Sequence, residues 1–295
     1  MTSILVIGAS GMLGFALHRG LHDQGYNVHG TVRRSAMPHE GWTRDLRYRF
    51  GIDVNDIDAI CQAVRETGAS VVINAAGVIK QVDAVRDEAA LFRLNGAFPK
   101  RLEIAGERDG FRVIHFSTDC TFSGRKGGYR ETDVPDAEDA YGISKLLGEA
   151  TRSALTLRTS IIGLGLAPNG SLVDWFLAQT GEVRGFPHAF FSGLPVNAIA
   201  DFIGKVLLPA QQPLHGLYHL AADRIDKAAL LTLVARQWGR ADIRIVPDES
   251  FRIDRSLNAT ALTSIIPHTI PDWPTLIEGM HRFYNRLGTR PAEIR

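Results

Sequence analysis

Tyr141 and Lys145 stand four positions apart in the run Tyr141-Gly142-Ile143-Ser144-Lys145. On a helix this spacing puts both side chains on one face, one turn apart. A free phenol, with a pKa of about 10, exchanges protons poorly at neutral pH. A cation beside it favours the phenolate and brings the group toward the working range. The pair therefore suits proton transfer in a carbonyl/alcohol reaction. Five residues taken alone also fit a helix with a half-buried tyrosine and a solvated lysine, so the rest of the chain has to decide. A hydroxyl pair, Ser117-Thr118, closes an apolar run that begins at Phe111. That run predicts a strand, and the C-terminal edge of a parallel strand is where such sheets place their chemistry.

These groups need a frame, and the N-terminus supplies its first part. Ser3 to Ile7 reads as a buried parallel strand. It enters Gly8-Ala9-Ser10-Gly11-Met12-Leu13-Gly14 and an amphipathic helix to about Gln24, with Gly25 as its cap. Strand, glycine turn and helix together predict a dinucleotide site, because glycines let the backbone approach a pyrophosphate and the helix N-terminus offers amide donors. Gly8, Ser10, Gly11, Met12, Leu13 and Gly14 are its candidate contacts. The spacing is Gly-x-x-Gly-x-x-Gly rather than the common Gly-x-Gly-x-x-Gly. The next strand, Asn27 to Val32, ends in Arg33-Arg34 with no acidic residue, which suits a 2′-phosphate and favours NADP over NAD.

Residues 36–44 read as loop. Asp53-Val54 closes a third segment, where Asp53 either bonds an adenine amine or serves as a turn residue before the helix from about Asp56 to Glu66. A fourth strand, Ser70 to Ile73, ends in Asn74-Ala75-Ala76-Gly77, small enough for a cofactor to lie across. A long helical pattern, about 82–108, carries Asn95 and meets Pro99, a candidate kink. The helix opened by Tyr141 is expected to end near Thr151, and 154–162 reads as a sixth strand. The alternation predicts an α/β fold, a doubly wound parallel sheet with a smaller C-terminal α/β substrate lobe. The dinucleotide domain is placed at 1–163, joined by 196–222; the substrate lobe takes 164–195 and 223–290, and 291–295 is a tail. A helix is expected over 197–208, a strand over 217–221, and further helices over 227–238 and 273–287.

Composition narrows the function. Hydrophobic residues make up 45% and charged residues 22% of 295, and net charge is +1 with no basic stripe, so nucleic acid is not an expected partner. No apolar run is long enough for a membrane span. Two cysteines, Cys61 and Cys120, suit a reducing compartment, and a cytoplasmic protein is expected. His18 and His22 share a helix face, but none of the histidines shows metal-ligand spacing, and no metal is expected.

The glycine turn, Asn74-Ala75-Ala76-Gly77, Thr118 and Tyr141-x-x-x-Lys145 together resemble the extended short-chain dehydrogenase/reductase family. The segment Phe116-Ser117-Thr118-Asp119-Cys120-Thr121-Phe122-Ser123-Gly124 is similar to the Ser-Thr-Asp-Tyr-Val-Phe-x-Gly signature of its dTDP-4-dehydrorhamnose reductase-like branch. The resemblance implies that Tyr141 gives a proton to a keto oxygen, that Lys145 lowers its pKa and bonds the nicotinamide ribose, that Thr118 bonds the same oxygen, and that Asn95 supports the lysine through water. It implies NADP(H) as cofactor, a nucleotide-linked keto-sugar as substrate, and a homodimer. Asp119, Cys120, Phe191, Ser192 and Arg255 are the implied substrate contacts. Two departures bear on the sugar: the signature's tyrosine is Cys120 here, and the aromatic loop around His188 follows no pattern of the branch. Two other activities fit the resemblance: an epimerase or dehydratase that recycles NAD, and a non-catalytic NADP-binding regulatory subunit.

Overall fold

The run Ser-Ile-Leu-Val-Ile is buried at every position, as a strand covered on both faces must be. It forms β1 (Ser3–Ile7) of a computed structural model that describes residues 2–37, 40–78, 87–166 and 171–288. The chain then alternates through α1 (Met12–Asp23), β2 (Asn27–Val32), α2 (Glu40–Thr43), β3 (Arg47–Phe50), α3 (Ile57–Thr67), β4 (Val71–Asn74), α4 (Glu88–Leu91), a π-helical stretch Phe92–Ala97, α5 (Phe98–Asp109), β5 (Arg112–Thr118), α6 (Ala140–Leu147) and β6 (Leu155–Thr159). It continues through β7 (Ile161–Ile162), α7 (Leu172–Leu177), β8 (Gly181–Gly185), β9 (Ala189–Phe191), β10 (Leu194–Pro195), α8 (Val196–Phe202), β11 (Gly216–His219), β12 (Ile225–Asp226), α9 (Lys227–Gln237), β13 (Ile243–Pro247), β14 (Ile253–Asp254), α10 (Thr260–Ile265) and α11 (Trp273–Arg286).

Seven strands pair in the order β11-β6-β5-β4-β1-β2-β3, all parallel. Order reverses between β1 and β4, the switch point where open α/β sheets bind ligands. Alternate side chains serve the two faces. Ile4, Val6, Ile73 and Phe116 pack with Phe15 and Leu17 of α1 and with α8. Leu5, Ile7, Val72 and Val113 pack with Ile60 and Val64 of α3 and Leu102 of α5. The doubly wound sheet expected from the alternation is therefore the observed one. The remaining strands form three small sheets, β10-β7, β12-β9-β14 and β13-β8.

Several expected boundaries move, each for a physical reason. The segment 36–44 is not all loop, because α2 carries Trp42, 2% exposed, stacked on Phe15 and tilted against Tyr284. The Trp42 indole anchors the segment, and Met37 packs against the same core. The strand expected over 154–162 breaks at Ser160, whose carbonyl accepts from Leu194 N while β7 turns to pair with β10. α6 stops at Leu147, not near Thr151, with Gly148 as its cap. Pro99 stands in the first turn of α5, which continues directly from the helical residues before it, so its missing N–H interrupts the hydrogen-bond ladder there. The irregularity lies just before it, in the π-helical turn around Asn95. Part of the helix expected from 82, and the tail 291–295, lie outside the described residues.

Candidate active site

The cofactor-side geometry begins at Gly8, whose φ of +81° only glycine adopts without strain. A Cβ on Gly14 would lie 2.1 Å from the Gly8 carbonyl oxygen, so glycine is required for α1 to start this close to β1. Gly11 caps α1 without a side-chain hydrogen bond, leaving Met12 and Leu13 amides at the mouth of the turn. Ser10 is part-buried there, and the Leu13 side chain is core. Ala76 closes the opposite wall: a Cβ on Gly8 would meet its backbone at 2.9 Å. Asn74 holds that wall, accepting from Ala76 N at 3.1 Å and touching His115 Nδ1 at 3.1 Å. Ala75 and Gly77 complete the small-residue edge. Arg33 and Arg34 are exposed at the end of β2. Asp53 acts as a turn residue, accepting from Asn55 N at 2.8 Å, and Val54 packs under α3 and α5.

The chemical groups meet at the C-terminal end of β5. Asp139 caps α6 through Gly142 N at 2.8 Å, which fixes where Tyr141 enters the helix. A Cβ on Gly142 would lie 2.2 Å from the Cys120 carbonyl oxygen, so glycine there brings the helix against the Asp119–Thr121 turn. Thr118 bends that turn by accepting from Cys120 N at 3.2 Å, and its hydroxyl reaches the Tyr141 phenol. Lys145, 8% exposed, points its ammonium at the Phe116 carbonyl, 2.6 Å away, beside Gly77. Asn95 does not bond Lys145; it accepts from Val78 N, donates to Val78 O, and donates to Ser144 Oγ, tying the β4 loop to α6.

The electrostatics differ from the sequence expectation at one point. Burial pushes the Tyr141 phenol above its ordinary value, Cys120 and Asp119 push the same way, and the Thr118 hydrogen bond opposes them. Desolvation is the largest of these influences, so the phenol is moved up rather than drawn toward phenolate. Burial also lowers Lys145, to about 8, against the pull of Glu149.

On the substrate side the structure separates the candidates. Asp119 and Cys120 lie beside Tyr141, and Arg255 reaches them, its Nη1 3.7 Å from Cys120 Sγ and its Nε donating to Phe122 O at 2.8 Å. Burial raises the Asp119 carboxyl, with Arg255 and Lys227 pulling it back. Phe191 and Ser192 are not at this cluster's surface. Phe191 is core against Trp273, and Ser192 is buried with its hydroxyl accepting from Leu257 N at 2.9 Å. Lys227 is the residue that sequence reasoning missed. Burial lowers its ammonium while Asp119 and Cys120 raise it, so it faces the same cluster. Asp226 and Asp254 both pair with Phe190 of β9, which brings Lys227 and Arg255, each next in the chain, to one place. Nothing local in the sequence marks that meeting.

The family model described as RmlD substrate binding domain matches residues 1–260. The chain is 34% identical over 168 residues to the spore coat polysaccharide biosynthesis protein SpsK of Bacillus subtilis, covering 54% of this chain and about half of that one, 53%. It is 26% identical to the dTDP-4-dehydrorhamnose reductase of Escherichia coli, over 98% of this chain and 99% of that one. The structure of dTDP-4-dehydrorhamnose reductase from Bacillus anthracis in complex with NADP superposes with a TM-score of 0.76, at 19% identity, covering 97% of this chain and 100% of that one. The family match, the parallel sheet and the grouped Thr118, Tyr141 and Lys145 converge: the chain belongs to the RmlD substrate binding domain family, the dTDP-4-dehydrorhamnose reductase-like branch of the extended short-chain dehydrogenases/reductases.

Proposed function

We propose that the protein is an NADPH-dependent reductase of a nucleotide-activated 4-keto-6-deoxy sugar. The observation that carries this reading is the half-buried Tyr141 beside the Thr118 hydroxyl, one turn before the buried Lys145, at the sheet edge that also holds the glycine turn. The glycine turn and the amides of α1 fit a pyrophosphate, and Arg33 and Arg34 fit a 2′-phosphate. NADPH, when bound, supplies the hydride.

The chain's own residues do the rest. A phenol kept protonated by burial is a proton donor, which is what reduction of a ketone requires. Tyr141 gives its proton to the keto oxygen as negative charge develops there. Thr118 donates to the same oxygen, and such a donor contributes about 3–4 kcal/mol when aimed at developing charge. The Lys145 ammonium stabilises the phenolate left behind. Arg255 and Lys227 face the diphosphate, and Asp119 takes a sugar hydroxyl. Cys120, where the branch's signature has tyrosine, brings the Arg255 guanidinium up to the sugar side of Tyr141.

Loss of NADPH absorbance with dTDP-, GDP- and UDP-linked 4-keto-6-deoxy sugars tests the reading. Turnover with one of them identifies a reductase and its nucleotide. Copurified NAD with no NADPH consumption establishes the epimerase or dehydratase instead, against which Arg33-Arg34 argues. NADPH binding with no turnover, and a stable complex with another enzyme, establishes the regulatory subunit.

A further inference from the structure

Beneath the Tyr141–Lys145 face lies a buried polar layer that the mechanism above leaves unused. Glu149, four residues after Lys145, is 8% exposed. Arg158 of β6, 2% exposed, grips both its oxygens, Nε at 2.6 Å and Nη2 at 2.8 Å. Ser117 of β5 donates to Oε1 at 2.8 Å, and it directly follows Phe116, whose carbonyl takes the Lys145 ammonium. Lys145 and Glu149 are thus both fixed to adjacent residues at the end of one strand. Lys100 of α5 donates to the Glu149 backbone carbonyl.

The other charged and titratable groups packed here are accounted for. His115 of β5 is held neutral by burial and by Lys145 and Lys100. His219 of β11 meets Arg158 Nη1 through Nε2 at 3.4 Å, and its Nδ1 faces Tyr129 O. Glu131 takes the His219 amide, and Glu103 takes the amides of Arg152, Ser153 and Ala154. Asn95 and Tyr141 bring no fixed charge. Arg158 holds the Glu149 carboxylate directly, Lys100 holds its backbone carbonyl, and the Lys145 ammonium sits on Phe116 O, one residue from the Ser117 hydroxyl that bonds the same carboxylate. A buried cation is retained only when it is paired.

We infer that Glu149 is the counter-ion of this layer, holding Lys145 as an ammonium in place under Tyr141. It touches no reacting atom; it is a positioning residue that acts through Lys145. Removing its charge takes away the pull that opposes desolvation of Lys145 and leaves the Arg158 guanidinium without its carboxylate; of the two cations Lys145 is the one that sheds its proton, because a guanidinium does not.

The test reads Lys145 directly. The chain has six lysines, so carbon-13-labelled lysine gives a small set of signals, with that of Lys145 assigned by its loss in Lys145→Arg. In the wild type its titration midpoint is expected at about 8. In Glu149→Gln it is expected to fall by roughly one pH unit or more, a tenfold loss of proton affinity. In Ser117→Ala, which removes a hydrogen bond from the same carboxylate without changing charge, it stays near the wild type. A midpoint unmoved in folded Glu149→Gln overturns the inference, and so does an equal drop in Ser117→Ala, which would mark a packing effect. If Glu149→Gln does not fold, Glu149→Asp, with its carboxylate withdrawn by one methylene, must lower the midpoint by a smaller amount; an unmoved midpoint there also overturns it. The consequence for turnover, an alkaline limb of NADPH oxidation moving to lower pH in Glu149→Gln, rests on the proposed reductase. The lysine titration needs no substrate, so failure of one is distinguishable from failure of the other.

Discussion

At the scale of single residues, proton donation and charge recognition can be separated by substitution. Tyr141→Phe keeps the ring and its packing but removes the proton, so turnover is expected to fall by about 10²–10⁴-fold with NADPH affinity nearly unchanged; stopped-flow or steady-state NADPH oxidation with fluorescence titration of the cofactor reads both. Arg33 and Arg34 are exposed at the end of β2, where the proposed function puts the 2′-phosphate. Charge-assisted hydrogen bonds contribute about 1.5–3 kcal/mol each, so Arg33→Ala or Arg34→Ala alone is expected to weaken NADPH binding roughly 10–100-fold, the double substitution about 10²–10⁴-fold, with NADH binding left nearly in place. Equal weakening of both cofactors would remove the arginines from the ribose site.

At the scale of elements, two close approaches position the chemistry. Gly14 lets α1 begin against the Gly8 carbonyl, at a distance a methyl group cannot occupy. Gly14→Ala is expected to destabilise the fold by about 1–3 kcal/mol, as overpacking does, and to weaken NADPH binding as the turn shifts. Chemical denaturation and cofactor titration on the same preparation check both effects. α6 depends on Asp139, whose side chain caps it at Gly142 N, the glycine that packs against the Cys120 carbonyl. Asp139→Ala is expected to cost about 1 kcal/mol and to loosen the helix end that carries Tyr141, lowering turnover more than cofactor affinity. The π-helical turn at Phe92–Ala97 carries Asn95, consistent with the tendency of such turns to sit at functional sites.

At the scale of the whole molecule, buried titratable groups couple stability to pH. His18 is fully buried against Gly30 and Tyr48, and burial lowers it to about 3. Its unfolded value is near 6.5, so between these limits the unfolded chain binds the proton and the folded chain does not. Stability is therefore retained above about pH 6.5 and lost as pH falls toward the folded value, roughly 2 kcal/mol by pH 5 from this residue. His115 and His219, also lowered by burial, add in the same direction. In His18→Leu the difference in unfolding free energy between pH 7 and pH 5 is expected to shrink by about that amount, measured by urea denaturation.

The sequence by itself determined what local chemistry can determine. Val and Ile runs with strand-to-glycine-to-helix order named the doubly wound sheet, because strand burial on both faces and the φ > 0 requirement at Gly8 are written in adjacent residues. Tyr141 and Lys145 were legible for the same reason: four positions on one helix face is a local relation. Groups that meet only through the fold were not legible. Lys227 joins Arg255 and Asp119 because two short strands flank β9, and Trp42 ends in the core because α11 closes over it. The upward push on the Tyr141 phenol belongs to the same class. Its spacing to Lys145 argued for a lowered phenol, but desolvation is set by everything packed around the ring, and only the tertiary structure supplies that.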